Sequence, residues 1–156
     1  MRLRPFEPSD LAAVHRLICD TIDACYPAAY TPRAVAYFKQ FHSPDAILRR
    51  AEAGTVLVAQ EAGELLGTGA FVDGEISAVF VSPRAQGTGL GGALMDALER
   101  TASEQGHACV GLHVSLPSKG FYERRGYRLF DEGALDVGDG ETLGYWEAAK
   151  TLSGGS

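Results

Sequence analysis

Apolar residues recur along the chain at two spacings, which separate the predicted helices from the predicted strands. Near the N-terminus, apolar side chains at helical spacing share one broad face: Leu11, Val14, Leu17, Ile18 and Ile22. This face predicts an amphipathic helix that ends near Ala24, with Ser9 or Asp10 as its N-terminal cap. Two further helices are predicted to begin at Thr31-Pro32 and Ser43-Pro44, because each pair joins a capping hydroxyl to a proline at the first helical position.

Short apolar runs bounded by turn residues predict strands. Seven strands are expected, with these bounds: Met1–Phe6, Thr55–Glu61, Glu64–Val72, Glu75–Val81, His107–Leu116, Tyr127–Leu135 and Glu141–Ala149. Gly67 and Gly69 interrupt the third strand, which indicates a bulge or a close approach of backbone. Two more helices are predicted over about Thr88–Glu104 and Pro117–Arg125. The resulting order, β-α-α-α-β-β-β-α-β-α-β-β, predicts an α/β fold in which helices cover a mixed sheet.

Composition and charge narrow the classes of partner. We expect the 156 residues to form one domain over residues 1–150, followed by a disordered tail over 151–156. A net charge of -6 argues against nucleic acid as a partner. The three cysteines have no CxxC spacing, so they predict neither a disulfide framework nor a metal site and are typical of a reducing compartment. Without a signal segment or a long apolar run, we expect a cytoplasmic protein with no membrane partner.

The stretch Val79–Gly92 joins an apolar strand to a turn that carries four glycines in six residues where a helix starts. Glycines let the backbone pass close to a ligand, and free N–H groups at a helix N-terminus suit a bound phosphate. Gly87-x-Gly89-x-x-Gly92 formally matches the dinucleotide-binding pattern, but residues 82–86 separate it from its strand and no carboxylate ends the next strand. No Gly-Lys-Ser/Thr closes the turn, which excludes a P-loop.

A third interpretation of this glycine turn (Gln86–Gly92) agrees better with its residues. Val81-x-Pro83-x-x-Gln86-x-x-Gly89-x-Gly91 resembles the acetyl-coenzyme A signature of the GNAT N-acetyltransferase superfamily, whose core pattern is Gln/Arg-x-x-Gly-x-Gly/Ala. About thirty residues on, Phe121-Tyr122-Glu123-Arg124-Arg125-Gly126-Tyr127 resembles the Phe-Tyr-x-x-x-Gly-Phe/Tyr segment of that superfamily. The resemblance implies a GNAT-like fold, with a central, mostly antiparallel sheet of about seven strands that helices flank and that splays at a cofactor wedge.

The same resemblance implies acetyl-coenzyme A as the cofactor. The turn amides would meet its pyrophosphate, and the strand before the turn would pair with its pantetheine arm. Arg84 is near enough in sequence to add a positive charge, and Ser115, where many relatives carry asparagine, ends the neighbouring strand at the wedge. The expected cofactor-binding residues are Val79, Phe80, Val81, Arg84, Gln86, Gly87, Thr88, Gly89, Leu90, Gly91, Gly92 and Ser115.

Two residues carry the chemistry that the resemblance implies. Tyr122 is expected to be the general acid, because a phenol is protonated at neutral pH and can donate to a leaving thiolate. Glu75 is expected to be the base that accepts a proton from the amine, and strand alternation puts it on one face with Val79 and Val81. His113 or water alone are alternatives for the base.

The sequence therefore predicts an N-acetyltransferase that moves acetyl from acetyl-coenzyme A to a primary amine by direct attack. A catalytically silent acyl-coenzyme A binding or sensor domain is the alternative. We expect the substrate side to come from the aromatic-rich segment Tyr26–Phe41 and the hairpin near Tyr145-Trp146, with Phe38 and Phe41 mainly packing helices. The acceptor could be a small molecule or a peptide or protein amine, and a homodimer is compatible with the sequence.

Overall fold

The computed structural model describes residues 1–152, and the elements follow the predicted order. The strands are β1 (Arg2–Pro5), β2 (Thr55–Glu61), β3 (Glu64–Val72), β4 (Glu75–Val81), β5 (Cys109–Ser115), β6 (Arg128–Gly138) and β7 (Glu141–Thr151). The helices are α1 (Leu11–Cys25), α2 (Pro32–Phe41), α3 (Pro44–Ala53), α4 (Leu90–Glu104) and α5 (Lys119–Arg124). Short 3-10 turns precede α1, α4 and α5. None of the helices in the described part of the chain is both long and apolar enough to span a bilayer.

All seven strands form one sheet, in the order β1-β2-β3-β4-β5-β7-β6. Neighbouring strands are antiparallel except β4 and β5, which are parallel. The pair β4–β5 is registered only at Glu75 and Gly111, where the Gly111 N–H also donates to the Gly74 carbonyl at 3.0 Å. Beyond this pair the two strands diverge and leave a gap, called the wedge below. The predicted mostly antiparallel, splayed sheet is confirmed.

The N-terminal caps show how the sequence starts each helix. The Thr31 and Ser43 hydroxyls accept the N–H groups of Ala34 and Ala46 at 3.2 and 3.3 Å, as the hydroxyl-proline pairs predict. Asp10 precedes α1 but makes no side-chain cap to that helix. Its carboxylate instead pairs with Arg4 at 2.8 Å and accepts the Glu7 N–H, so it ties β1 to the turn before α1.

Helices cover both faces of the sheet. Helices α1, α2 and α3 bury one face, with Ile18, Val58 and Phe80 in a shared cluster. Helix α4 covers the other face, where it comes unusually close to β3. A Cβ added to Gly67 or Gly69 would lie 2.9 Å from a Leu94 methyl or 2.8 Å from a Leu98 methyl, respectively. Leucine side chains of α4 thus approach both glycines closely, and β3 also has a bulge beside Gly67, where Leu66 is the extra residue. The close packing brings α4 down onto the sheet.

A β-bulge in β4 reverses which face its side chains occupy. Ser77 pairs with Ala70 and Phe80 with Thr68, so two residues of β4 lie opposite Gly69. Ala78, in the bulge, has a φ of 52°, which non-glycine residues seldom adopt. Before the bulge Ile76 packs on the α4 face, whereas after it Val79 and Val81 do. Glu75 and Ser77 therefore lie on the opposite face from Val79 and Val81, and the alternation predicted for Glu75 is wrong.

The C-terminal strand extends further than predicted. Thr151 pairs with Cys109 at the end of β7, and the Leu152 N–H donates to the Ala108 carbonyl at 2.8 Å. Leu152 also packs against the core cluster on the α4 face. Thr151 thus belongs to the sheet and Leu152 packs against the core, so the disordered tail predicted over 151–156 is wrong for these two residues. The rest of that tail, residues 153–156, lies outside the described residues.

Candidate active site

The glycine turn presents a row of free backbone donors. Within residues 1–152, the N–H groups from Gly87 to Gly92 donate to no protein acceptor, and the first bonded one is Ala93, whose N–H donates to the Gly89 carbonyl at 3.0 Å. Gly89, the residue before α4, has a φ of 88°, which only glycine adopts at little cost. Leu90 is buried in the core, so only its N–H can face a ligand. The turn can hold an anionic group by backbone alone, assisted by the α4 dipole.

Side chains around the turn hold it against β4. The Gln86 amide donates to the Val81 carbonyl at 3.0 Å, and the Thr88 hydroxyl donates to the Ala85 carbonyl. Arg84 forms an ion pair with Glu64 at the surface. The positive charge predicted for a pyrophosphate is therefore engaged by a carboxylate in this structure, and a role for Arg84 at the phosphates stays a prediction. An exposed pair of this kind is weak, so it can be exchanged for another anion.

A cavity of about 420 Å³ occupies the wedge and opens towards α2 and α3. The predicted site residues in its wall are Glu75, Val79, Phe80, Ser115 and Tyr122, together with the alternative base His113. The structure thus brings the proposed acid and base to one space. Val81, Arg84 and the glycine turn lie outside this cavity. Val81 is the last residue of β4, and Arg84 and the glycine turn follow it in sequence. The chain therefore runs from the wedge to the surface along these residues.

Tyr122 is buried in α5 at the wedge. Its ring packs against Phe121 at 5.0 Å and Tyr127 at 5.7 Å between centroids. Burial raises the pKa of the Tyr122 phenol above its ordinary value of 10.0, and the neighbouring Tyr26 phenol acts in the same direction. Tyr122 is therefore protonated at neutral pH and held rigidly, as a proton donor must be.

The two candidate bases sit in different surroundings. Glu75 opens β4 at the narrow end of the wedge and is exposed, so its carboxylate is free to reach a ligand in the cavity. His113 lies on β5 with its side chain 57% exposed, and its Nε2 is 3.4 Å from a Glu147 carboxylate oxygen. Its ring also packs against Tyr145 at 5.0 Å. Glu75 is the less engaged of the two groups.

Hydroxyl groups cluster where β5 ends. The Ser115 and Ser118 hydroxyls are 3.0 Å apart, and both residues line the cavity. Burial raises the pKa of Tyr26 to about 12, while its proximity to Ser115 acts in the opposite direction. Ser115 is thus placed as the sequence predicts. The sequence places Tyr26 only on the substrate side. Its position beside Ser115 and Tyr122 arises because the turn after α1 folds back over the sheet.

Two polar residues in the wall are His42, which the sequence places in the aromatic-rich region of the substrate side without a partner, and Arg50, which the sequence does not predict. An Arg50 guanidinium nitrogen lies 3.0 Å from His42 Nδ1, which must accept because arginine only donates. Burial, and to a lesser degree Arg50, lowers the pKa of His42 to about 3, so the imidazole is neutral. Its ring packs edge-on against Phe80 at 5.1 Å. The nearest sequence signal is the aromatic segment that precedes them, which does supply Tyr37, Phe38 and Phe41 to the wall.

Comparison with known proteins agrees with this geometry. The family model for the acetyltransferase (GNAT) domain matches residues 26–138, which include both sequence motifs. A Bacillus subtilis (strain 168) protein with the name of an acetyltransferase is 48% identical over 44 residues, which are 28% of this chain and 30% of that protein. The chain therefore matches less than a third of this relative's length.

Solved structures share the fold across nearly the whole chain. The GCN5-related N-acetyltransferase from Rhodopseudomonas palustris superposes with a TM-score of 0.89 at 23% identity, covering 97% of this chain and 95% of that one. The PaiA N-acetyltransferase from Thermoplasma acidophilum, in complex with coenzyme A, gives 0.76 at 16% identity, with 96% and 98% covered. At these identities the likeness shows the fold, and the family model shows the membership. The chain belongs to the GNAT acetyltransferase family.

Proposed function

We propose that this protein is an N-acetyltransferase that transfers acetyl from acetyl-coenzyme A to a primary amine by direct attack. The observation that carries the proposal is the continuity of three features: free amides at the glycine turn, the edge of β4 exposed at the wedge, and Tyr122 in the wedge wall. Together they offer a phosphate site, a backbone edge and a proton donor in the order in which coenzyme A presents phosphate, amides and sulfur. The coenzyme A in the PaiA complex supports the same ligand.

The residues of this chain suit the cofactor. The N–H groups of Gly87–Gly92 would hold the pyrophosphate, and β4 residues 79–81 would pair with the amides of the pantetheine arm. A Cβ added to Gly87 or Gly89 would have no atom of another part of the protein within 4 Å, so the surface there is open to a ligand. When bound, acetyl-coenzyme A supplies the thioester whose carbonyl carbon an amine attacks while the carbon–sulfur bond breaks.

Two side chains then move the protons. Glu75, directly or through water, accepts the proton that the amine loses, because a lysine-like amine is mostly protonated at neutral pH. Tyr122 donates a proton to the leaving thiolate. His113 stays the alternative base, since it lines the same cavity. The silent acyl-coenzyme A binding domain is not favoured, because such a domain needs no acid and carboxylate facing one cavity.

The test is a screen for thiol release from acetyl-coenzyme A over a panel of amines, with equilibrium binding of coenzyme A measured in parallel. We expect binding and amine-dependent release. Tight binding without release on any amine would return the silent domain as the better hypothesis. Absence of binding would contradict the whole assignment of the turn.

Cellular location and assembly are part of the proposal. The three cysteines, Cys19, Cys25 and Cys109, are free thiols, which supports a reducing compartment such as the cytoplasm. Light scattering of the purified chain would distinguish a monomer from the homodimer that the sequence allows.

A further inference from the structure

Arg50 brings a guanidinium into the wall of the wedge cavity. It lies in the last turn of α3 and is half-buried. Its side chain also lies beside the β4 bulge, where it lines a small cleft with Ala78 and Val14. A guanidinium nitrogen is 3.0 Å from His42 Nδ1, and the guanidinium carbon is 5.6 Å from the centroid of the Phe41 ring. His42 and Phe41 thus hold the group in place.

No carboxylate neutralises this charge within residues 1–152. The other two partly buried arginines of the described chain have acidic partners, Asp10 for Arg4 and Asp96 for Arg125. The polar contacts of the Arg50 guanidinium are the neutral His42 ring and, at 3.4 Å, the Phe41 carbonyl. Burial lowers the pKa of Arg50, and the adjacent Arg49 adds to this, although an arginine stays charged. A desolvated cation without an anion gains from a ligand that supplies one.

The cavity is charged in two places. Arg50 contributes the positive charge near α2 and α3, and Glu75 contributes a negative charge at the narrow end of the wedge. Both residues belong to the same wall, and Glu75, Ser77 and Ala78 all line the cavity along β4. An acceptor that is only cationic would be attracted by Glu75 but repelled by Arg50. An acceptor with an amine and a carboxylate would complement both groups.

We propose that the acceptor is a small amine that also carries a carboxylate, with Arg50 binding the carboxylate while the amine faces Glu75. This inference rests on the proposed acetyl transfer. The planar guanidinium can donate two parallel hydrogen bonds to a carboxylate, and its contacts with His42 and Phe41 limit the conformational entropy that binding costs. Arg50 is then a specificity-determining residue, and His42 is a positioning residue that holds it.

The test compares matched acceptor pairs, an amino acid and its carboxamide, in thiol release from acetyl-coenzyme A. Rates are expressed per concentration of neutral amine, because the two ammonium groups differ in acidity. We expect the wild-type kcat/KM to favour the carboxylate by about 10- to 100-fold, the usual range for a hydrogen-bonded charge pair. Arg50→Met keeps most of the apolar stem but removes the charge, and we expect it to bring the ratio close to one. Arg50→Lys should keep part of the preference.

Arg49→Met is the matched control, because Arg49 is the exposed neighbour in the same helix and the ratio should be unchanged. A purely structural role for Arg50 would lower the rates with both acceptors and leave the ratio intact. That result, or a wild-type ratio near one, would overturn the inference but not the acetyl transfer.

A second measurement separates the two proposals. Calorimetry measures how tightly the same amino acids and carboxamides bind to the coenzyme A-loaded protein. It does not depend on turnover, and the measurement on the wild-type protein does not depend on the folding of a variant. If no amine is acetylated, the proposed function fails. A carboxylate preference in binding that Arg50→Lys weakens would still support Arg50 as the carboxylate site, and equal binding of both ligands would overturn it.

Discussion

The glycine turn and the wedge cavity are neighbouring parts of the candidate site, and they are built in different ways. The turn consists of seven consecutive residues, Gln86–Gly92, and offers its ligand backbone N–H groups. The cavity is walled by side chains from α2, α3, β4, β5, α5, β6 and β7, which are far apart in sequence. Ligand binding at the turn depends on the path of the main chain. Ligand binding in the cavity depends on which side chains several distant elements bring together.

This difference separates affinity from selectivity. A backbone site is damaged by any residue that changes the main-chain path, but it carries little information about which substrate arrives. In a site built from side chains, single residues can be substituted one at a time while the fold stays the same. We therefore expect substitutions in the turn to act on cofactor affinity, and substitutions in the cavity to act on turnover, acceptor choice or local stability.

The largest expected effect comes from Gly89→Asp. Aspartate at a φ of 88° costs about 1–2 kcal/mol of strain, and its carboxylate would face the phosphates. We expect the dissociation constant for coenzyme A to rise by at least about 100-fold, which corresponds to roughly 2.7 kcal/mol, measured by calorimetry. Gly63→Asp is the matched control, because Gly63 has a φ of 80° in the β2–β3 turn, with open space around it.

The control should lose comparable stability but keep the wild-type affinity for coenzyme A. If Gly89→Asp still binds coenzyme A normally, the turn does not hold the phosphates. If both variants lose binding alike, the effect is a loss of folding and not of the site.

Tyr122→Phe should have the next largest effect, and it acts on the cavity side of the comparison. Removing a general acid typically lowers a rate by about 100-fold or more, so kcat should fall to that extent. Affinity for coenzyme A should change little, because the turn is untouched. Tyr37→Phe removes a hydroxyl from another tyrosine in the same wall and is the matched control. Steady-state kinetics with unchanged kcat in Tyr122→Phe would remove Tyr122 as the acid.

The two regions also differ in how much of them the sequence predicted. The position of the glycine turn between β4 and α4 was predicted correctly, because glycine spacing and the strand before it are local signals, and its role at the phosphates stays a prediction. The same holds for α2 and α3, whose N-terminal caps, Thr31 and Ser43, each directly precede a proline. The cavity was predicted only in part. Tyr122 and Ser115 came from a motif and its neighbouring strand, whereas His42 and Arg50 meet only after α2 and α3 pack on the sheet.

One error shows why local patterns are not sufficient. Strand alternation placed Glu75 on a face with Val79 and Val81, but the bulge at Ala78 inserts a residue and shifts the pattern. An alanine with a positive φ has no signal in the sequence, since glycine or asparagine would be the usual choice. The conformation depends on the pairing of β4 with β3, and it puts Glu75 on the face of the sheet that α1, α2 and α3 cover.

Glu75→Gln tests the base within the cavity and should have a smaller effect than Tyr122→Phe. Water or His113 can accept the proton in its place, so we expect kcat/KM at neutral pH to fall by about 10-fold. The loss should shrink as pH rises and more of the amine becomes neutral, which a pH–rate profile would show. Glu61→Gln, at the exposed end of β2, is the matched control. A larger loss in His113→Gln than in Glu75→Gln would transfer the role to His113.

The smallest effect on activity, and a distinct effect on stability, is expected from His42→Gln. Burial lowers the pKa of His42 to about 3 from an ordinary value of 6.5, so the unfolded chain takes up a proton in this range and the folded chain does not. Proton binding by the unfolded state makes the free energy of unfolding fall as pH drops from about 6.5 towards 3, by up to about 1.4 kcal/mol per pH unit. Glutamine can still accept a hydrogen bond from Arg50 but does not titrate, so the His42→Gln variant should lose stability less steeply in this pH window.

Urea unfolding at several pH values would measure how the free energy of unfolding changes with pH in both proteins, and parallel curves would contradict the burial of a neutral His42. Affinity for coenzyme A at neutral pH should stay unchanged, because the glycine turn has no part in this titration.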